Sequence, residues 1–161
     1  MNSYLVIGNC GVGKTYVMRK LIAQLKPNYP RKLGAIYFHE NQKVAILGKY
    51  TGDIFDGSDK LSMSVATDFH KLYRYAQLNK LTLVCEGDRF TNSTFIDKFS
   101  PIVLRIEGDG ADGRLHRQST QTERQLKSIQ TRINNIEHDK AFANSSDCLQ
   151  YLESELMLCN D

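Results

Sequence analysis

The sequence Gly8-Asn9-Cys10-Gly11-Val12-Gly13-Lys14-Thr15 has the pattern G-x-x-x-x-G-K-T, which occurs in loops that bind phosphate groups. The apolar run Tyr4–Ile7 before it predicts a buried strand. Apolar residues at helical spacing follow it until Lys26-Pro27 stops the predicted helix. Because strand, loop and helix occur in this order, the pattern predicts a nucleoside triphosphate site and not a chance glycine-rich turn.

Each residue type in this loop suits phosphate binding for a physical reason. Glycines at 8, 11 and 13 let the backbone curl so that successive N–H groups point at one anion, and the following helix adds the positive end of its dipole. Lys14 is predicted to reach the β- and γ-phosphates, and the Thr15 hydroxyl is predicted to ligate Mg²⁺. All eight residues are candidate nucleotide ligands.

The composition predicts one globular domain over residues 1–161. Hydrophobic residues make up 41% and charged residues 24%, which are ordinary values for a packed domain. The net charge of +3 allows a nucleic-acid partner without requiring one. There is no apolar run of about 20 residues and no leader pattern, so we expect a cytoplasmic protein without a membrane span. The four cysteines show no metal-ligand spacing.

Strand and helix patterns alternate along the chain. Strands are expected at 4–7, 35–38, 44–47, 81–85, 102–106 and 141–143, with 35–38 and 44–47 forming a hairpin. Helices are expected at 17–25, 65–76, 93–99, 112–136 and after 144–146, with a turn at 26–30 and a loop at 48–64. This order, with the loop at 8–15 after the first strand, predicts an α/β fold of the P-loop NTPase class: a doubly wound, mostly parallel sheet with a helical lid at approximately 111–132.

The segment Glu86-Gly87-Asp88-Arg89 follows the predicted strand 81–85 at the sheet edge where a triphosphate would lie. An acid at Glu86 can hold the waters around Mg²⁺. Asp88, two residues on, can accept the proton of an attacking hydroxyl group. Arg89 can clamp an acceptor phosphate or the transferring group.

Three carboxylates, Asp53, Asp56 and Asp59, lie in the loop at 48–64. They can supply a general base or hold a substrate, although Asp-Gly pairs also belong to ordinary turns. We favour Asp59 among them, because it adjoins the helix that should wall the acceptor site.

Four polar residues in the predicted lid fall at positions i, i+3, i+7 and i+10, which places them on one helical face. They are Arg114, Arg117, Gln121 and Arg124, and Lys127 and Arg132 add further positive charge. Glu123 is the only acid between Arg114 and Arg132. A lid that closes over phosphates is therefore favoured over a helix of paired surface charges. Residues 144–146, Asn-Ser-Ser, fit either contact with a nucleotide base or a helix N-cap.

These motifs resemble those of small P-loop kinases. Asp88-Arg89-Phe90 followed by Thr-Asn-Ser-Thr resembles the Asp-Arg-aromatic motif of thymidylate kinases and related nucleoside monophosphate kinases, and Arg114-x-x-Arg117 resembles their lid. The chain is shorter than a typical thymidylate kinase, and its loop GDIFDGSDKLSM at 52–63 does not match that family. That loop, EGDRF at 86–90 and the arginine-containing stretch 114–136 are similar to phage P-loop kinases that phosphorylate 5-hydroxymethyluracil within DNA.

This resemblance implies transfer of the γ-phosphate of ATP, with Mg²⁺, to the hydroxymethyl group of 5-hydroxymethyluracil in DNA. Lys14 and Thr15 would bind phosphate and Mg²⁺, Glu86 or Asp88 would be the acid that follows the strand, and the charge stabilisers would be Arg89, Arg114 and Arg117. Asp59 and Asp88 both fit the general base. The alternatives are a free nucleotide or nucleoside kinase and, third, a small nucleotide-binding ATPase.

Overall fold

The computed structural model of the protein describes residues 1–52, 57–116 and 121–158, without the side chains of Asp59 and His116. Within these ranges seven strands form one sheet: β1 Ser3–Gly8, β2 Tyr29–Leu33, β3 Ile36–Glu40, β4 Val44–Leu47, β5 Thr82–Glu86, β6 Ile102–Ile106 and β7 Lys140–Phe142. The α-helices there are α1 Lys14–Ala23, α2 Phe69–Leu78, α3 Ser93–Phe99, α4 Ala111–His116, α5 Glu123–Asn134 and α6 Ser145–Leu156. Two short 3-10 helices, Ser58–Lys60 and Met63–Asp68, precede α2. None of the described helices has both the length and the apolar composition needed to cross a bilayer.

The strands lie in the order β2-β3-β4-β5-β1-β6-β7. The five strands from β4 to β7 in this order are parallel neighbours, whereas β2 and β3 form an antiparallel edge beside β4. The chain builds the sheet on one side of β1 and then crosses to the other side at β6. Ligands of open α/β sheets bind at the carboxyl ends of the strands where the order reverses in this way. The expected mostly parallel α/β sheet is confirmed.

Helices cover both faces of the sheet, so the arrangement is doubly wound. Leu5 and Ile7 of β1 face the core formed with α2, α3 and α5, while Tyr4 and Val6 face the core formed with α1 and α6. A strand buried on both faces needs an apolar side chain at every position. This requirement explains why the runs that become β1, β4 and β5 could be recognised from the sequence.

Four phenylalanines from α2, α3 and the loop after β5 form an aromatic cluster. The Phe69 ring centre lies 6.2 Å from that of Phe90, 5.3 Å from that of Phe95 and 6.0 Å from that of Phe99. Phe69, Phe90 and Phe95 are fully buried. Because Phe90 immediately follows Asp88 and Arg89, its burial fixes the loop after β5 to the core.

The structure differs from the sequence expectations in three places. The helix expected at 65–76 begins as the 3-10 helix Met63–Asp68, and α2 starts only at Phe69. The expected turn at 26–30 is partly a strand, because Tyr29–Leu33 pairs with β3 along its full length. The expected helix 112–136 is divided into α4 and α5, with Gln121 and Thr122 outside both helices. Thr122 starts α5 with a reciprocal capping box to Gln125, and the first turn of a new helix is thereby specified locally. Arg114 and Arg124 therefore do not share one continuous helical face.

We expect Phe69→Ala to lower the free energy of unfolding by about 3–5 kcal/mol, because it leaves a cavity at the centre of the aromatic cluster. Leu78→Ala in the same helix is the matched control. Its side chain is 78% exposed, and we expect an effect within about 0.5 kcal/mol. Urea unfolding with an unchanged m-value measures both. Equal losses in the two variants would contradict the central position of Phe69.

Candidate functional site

A cavity of about 390 Å³ opens at the carboxyl ends of β1 and β5. Its walls come from the loop at 8–15, the start of α1, the segment after β5, and residues of α4 and α5. Residues of the loop at 8–15 and of the segment 86–89, both predicted from the sequence as site residues, meet there. The predicted site residues that line it are Gly8, Cys10, Gly11, Gly13, Lys14, Thr15, Glu86 and Asp88.

The loop at 8–15 curls tightly at two glycines. Gly11 has φ +92° and Gly13 has φ +104°, in the left-handed region that side chains rarely adopt. Lys14 Nζ donates hydrogen bonds to the backbone oxygens of Gly8 at 2.8 Å and Asn9 at 3.1 Å. The lysine ammonium group is therefore held against the loop that it follows.

The remaining loop residues support its shape. Asn9 Nδ2 donates to the oxygen of Gly108 at 2.7 Å, which joins the loop to the segment after β6. Val12 packs against the core under α1 and α6. Asn9 and Val12 hold the loop in place, whereas their neighbours line the cavity.

The first turn of α1 faces the cavity without a side-chain cap. Helices α3, α5 and α6 begin with capping side chains, from Asn92, Thr122 and Asn144 respectively. Helix α1 begins after Gly13, which has none, and its first turn contains no acidic residue. The unpaired N–H groups and the positive dipole end of this helix are suited to an anion in the cavity.

Glu86 ends β5 and forms part of the cavity wall. The residue is only 4% exposed, and its Oε1 accepts a hydrogen bond from Tyr50 Oη at 3.0 Å. Burial raises the pKa of the adjacent Cys85 thiol well above its usual value, and the negative charge of Glu86 raises that pKa further. Cys85 is thus a protonated core residue, and Glu86 is the carboxylate presented to the cavity.

Asp88 lies opposite α5 at the cavity wall. Arg132 Nη1 is 3.2 Å from Asp88 Oδ1, and both residues line the cavity. Their side chains are 45% and 44% exposed, so the ion pair lies at the mouth and not in the interior. Sequence reasoning counted Arg132 only as additional positive charge. Its spacing of three residues from Ile129 and four from Ile136, in the apolar stripe of α5, was the signal that it borders the core.

Arg89 and Arg114 contact backbone oxygens. Arg89 Nε donates to the oxygen of Leu61 at 3.2 Å, which ties the loop after β5 to the segment before α2. Arg114 Nη1 donates to the oxygen of Cys10 at 3.0 Å and to that of Asp109. Neither arginine is among the residues that line the cavity. Their roles as charge stabilisers stay predictions.

Four candidate residues lie wholly or partly outside what the structure describes. Asp53 and Asp56 are in the undescribed segment 53–56. Arg117 is in the undescribed segment 117–120, and the side chain of Asp59 is likewise undescribed. The backbone of Asp59 belongs to the 3-10 helix Ser58–Lys60. Ser58 in that helix is buried, and a Cβ atom built on Gly87 would overlap its Oγ. The backbone position of Asp59 is therefore beside the loop that follows β5.

The start of α6 also adjoins the loop at 8–15, which we call the phosphate loop after its sequence pattern. A Cβ atom on Gly13 would lie 2.7 Å from Cβ of Ser145, so this approach requires glycine. The Asn144 side chain accepts a hydrogen bond from the backbone N–H of Asp147 at 2.9 Å. The N-cap interpretation of Asn144 is confirmed.

In comparisons with known proteins, no family model matches this chain and no curated protein matches it. The site is therefore interpreted from its own geometry. Among the described residues there is no group of three or more His, Cys, Asp or Glu side chains arranged to hold a metal ion. Mg²⁺ in phosphoryl-transfer sites needs only one or two protein oxygens, since phosphates and waters supply the rest. Thr15 and Glu86, which line one cavity, fit that requirement.

We expect Gly113→Ala to weaken the site, although alanine normally stabilises a helix. A Cβ atom at position 113 would overlap the backbone oxygen of Gly11, so α4 must move away from the phosphate loop. Nucleotide affinity, measured by titration calorimetry, should fall at least about tenfold. Asp112→Ala, at an exposed position in the same helix, is the matched control and should bind as the wild type does. Unchanged nucleotide affinity in Gly113→Ala would contradict the packing of α4 on the loop.

Proposed function

We propose that the protein has a P-loop nucleotide-kinase fold and uses ATP and Mg²⁺ to phosphorylate the hydroxymethyl group of 5-hydroxymethyluracil in DNA. The observation that carries the proposal is the meeting of Lys14 and Thr15 with Glu86 and Asp88 around one cavity. A loop that binds phosphate is common to motors, switches and kinases. The carboxylate at the mouth is the additional feature that a kinase needs for its acceptor.

The phosphate loop and the first turn of α1 are suited to the phosphates of ATP. Backbone N–H groups in a tight glycine turn and a helix N-terminus both favour anions. Lys14, already beside the loop, would turn its ammonium group from the oxygens of Gly8 and Asn9 to the phosphates. Arg132 lines the same cavity, where its charge is paired with that of Asp88.

Thr15 and Glu86 are the residues that would hold Mg²⁺ when ATP is bound. The metal ion would supply charge neutralisation at the β- and γ-phosphates. Glu86 is suited to this role because it is buried and oriented by the Tyr50 hydroxyl. The Thr15 hydroxyl is suited to it because α1 fixes its position at the second residue of the helix.

In the proposed reaction the hydroxymethyl oxygen attacks the γ-phosphorus of ATP. The new oxygen–phosphorus bond forms as the bond from the γ-phosphorus to the β–γ bridging oxygen breaks, and ADP leaves. The proton of the hydroxyl group passes to a carboxylate, for which Asp59 and Asp88 are the candidates. Arg132 positions Asp88 at the mouth, where an acceptor would enter.

The acceptor is supported by resemblance. The loop at 52–63, the segment EGDRF and the stretch 114–136 are similar to phage kinases of 5-hydroxymethyluracil in DNA. A base within DNA must leave the stack to reach an enclosed site, and a cavity open at the sheet edge is compatible with that. The second candidate is a kinase of free nucleotides or nucleosides, which the Asp88-Arg89-Phe90 motif favours.

The acceptor assay uses γ-labelled ATP with DNA containing 5-hydroxymethyluracil, thymine DNA or free dTMP. We expect label on the modified DNA alone, and Lys14→Ala should reduce transfer at least about 100-fold, because a phosphate-binding charge is lost. Lys140→Ala, an exposed lysine on β7, is the control and should keep full activity. Label on dTMP and never on modified DNA would overturn the proposal that 5-hydroxymethyluracil in DNA is the acceptor. Release of phosphate only to water would favour an ATPase.

The general base is tested by Asp59→Asn and Asp88→Asn. The variant that lacks the base should lose roughly 100-fold or more in kcat with little change in KM for ATP. Arg132→Gln is the control for Asp88, because it removes the ion pair and keeps the carboxylate. A kcat loss in Arg132→Gln as large as that in Asp88→Asn would mean that the ion pair matters and not proton transfer. If neither Asp variant lost kcat, both candidates would be wrong.

A further inference from the structure

Positive charge is concentrated in the first third of the chain. Residues 1–52 contain eight lysines and arginines but a single carboxylate, Glu40, whereas the remaining residues contain thirteen cations and seventeen acids. The overall charge of +3 hides this asymmetry. Charge separated in this way within one chain is a signature of proteins that bind a polyanion.

The single acid of this region does not neutralise the surface. Glu40 is 6% exposed, and its Oε1 lies 2.8 Å from Arg31 Nε and 2.7 Å from the Tyr75 hydroxyl. The Glu40 carboxylate is thus paired with Arg31 and hydrogen-bonded to Tyr75, on the face of the sheet that packs against α2. The other cations of residues 1–52 gain no partner from it.

Two of these cations meet over one aromatic ring at the sheet edge. Lys32 on β2 lies opposite Tyr37 on β3, and its Nζ is 5.1 Å from the centre of the Tyr37 ring. Lys49, just beyond β4, has its Nζ 4.7 Å from the same centre. The two ammonium groups are therefore within about 10 Å of each other, and in the described part of the chain neither forms an ion pair. We call Lys32, Tyr37 and Lys49 the hairpin surface.

The hairpin surface leads toward the cavity. Tyr37 and His39 alternate onto the same face of β3, and the His39 ring centre lies 6.5 Å from that of Tyr50. Tyr50 follows Lys49 in sequence and donates its hydroxyl hydrogen bond to Glu86 in the cavity wall. Tyr50 thus connects the chain next to Lys49 with the acid at the end of β5.

We propose that the hairpin surface binds the sugar–phosphate backbone of single-stranded DNA beside the acceptor base. Two lysines that are held close together over one ring, and that form no ion pair within the described residues, suit successive phosphates of one strand. The inference rests on the proposed function for its choice of DNA as occupant. It adds that affinity for the polymer comes from a surface outside the cavity.

The test measures binding without ATP. A fluorescein-labelled single-stranded oligodeoxynucleotide containing 5-hydroxymethyluracil is titrated with the protein, and anisotropy is followed over a range of salt concentrations. Lys32→Gln/Lys49→Gln should bind at least about tenfold more weakly. The slope of log K against log salt should become shallower by about 1.4, because about 0.7 is lost for each phosphate contact to a single strand. Each single variant should show about half of that change.

Lys98→Gln/Lys140→Gln is the matched control. These lysines also lie over tyrosine rings, at 5.0 Å from the centre of Tyr73 and 4.5 Å from that of Tyr151, but outside residues 1–52. We expect wild-type affinity and salt slope. Equal losses in both double variants would show nonspecific electrostatics and overturn the proposal.

The binding and transfer readouts separate this inference from the proposed function. Wild-type protein that binds the oligonucleotide through Lys32 and Lys49 but never phosphorylates it would refute the kinase and leave the surface standing. Phosphorylation of modified DNA with unchanged KM in Lys32→Gln/Lys49→Gln would refute the surface and leave the kinase standing. Binding to vesicles of phosphatidylglycerol but not to the oligonucleotide would likewise overturn it.

Discussion

The site depends on a direct contact between two backbone segments. Gly110 and Gly113 approach the loop at Cys10 and Gly11 so closely that side chains at these glycines would overlap backbone atoms. Arg114 reinforces the contact by donating to the oxygen of Cys10. The phosphate loop is therefore held from outside by the segment after β6, and glycine is required at these positions because a side chain would overlap backbone atoms of the neighbouring segment.

The two acids at the end of β5 occupy different environments, although one residue separates them. Glu86 is buried and receives the Tyr50 hydroxyl, so its carboxylate has a fixed position in the wall. Asp88 lies at the mouth and contacts Arg132. Gly87 between them has φ +89°, a conformation that turns the chain between wall and mouth. In the proposed reaction, Glu86 would serve the metal ion and Asp88 would face the entering acceptor.

Local signals in the sequence were enough for the parallel part of the sheet and for the starts of α3, α4 and α6. The runs that became β1, β5 and β6 are apolar at nearly every position, and Asn144 capped a helix as its residue type suggests. Strand β2 was missed because its sequence YPRKL is exposed and polar, and only its pairing with β3 makes it a strand. An exposed edge strand of this kind forms because it pairs with a neighbouring strand.

The contacts that shape the candidate site were the least predictable, because they join distant residues. Arg114 and Cys10 are 104 positions apart, and nothing in the local sequence of either indicates that the arginine binds a backbone oxygen. Arg132 and Asp88 meet only because α5 packs on the sheet. The sequence predicted that the segments 8–15 and 86–89 lie near each other, and residues of both line one cavity, but the positions of the individual cations could not be predicted.

The weakness of the Asp88–Arg132 pair has a consequence for access. Both side chains are close to half exposed, and ion pairs in such positions contribute about 0–1 kcal/mol. Separating α5 from the loop after β5 at the mouth therefore costs little electrostatic energy. The inner wall is different, since Glu86 is buried and Phe90 anchors the same loop in the aromatic core. Under the proposed function, an acceptor too large for this cavity would widen its mouth by breaking one exposed ion pair, while Glu86 in the inner wall would keep its position.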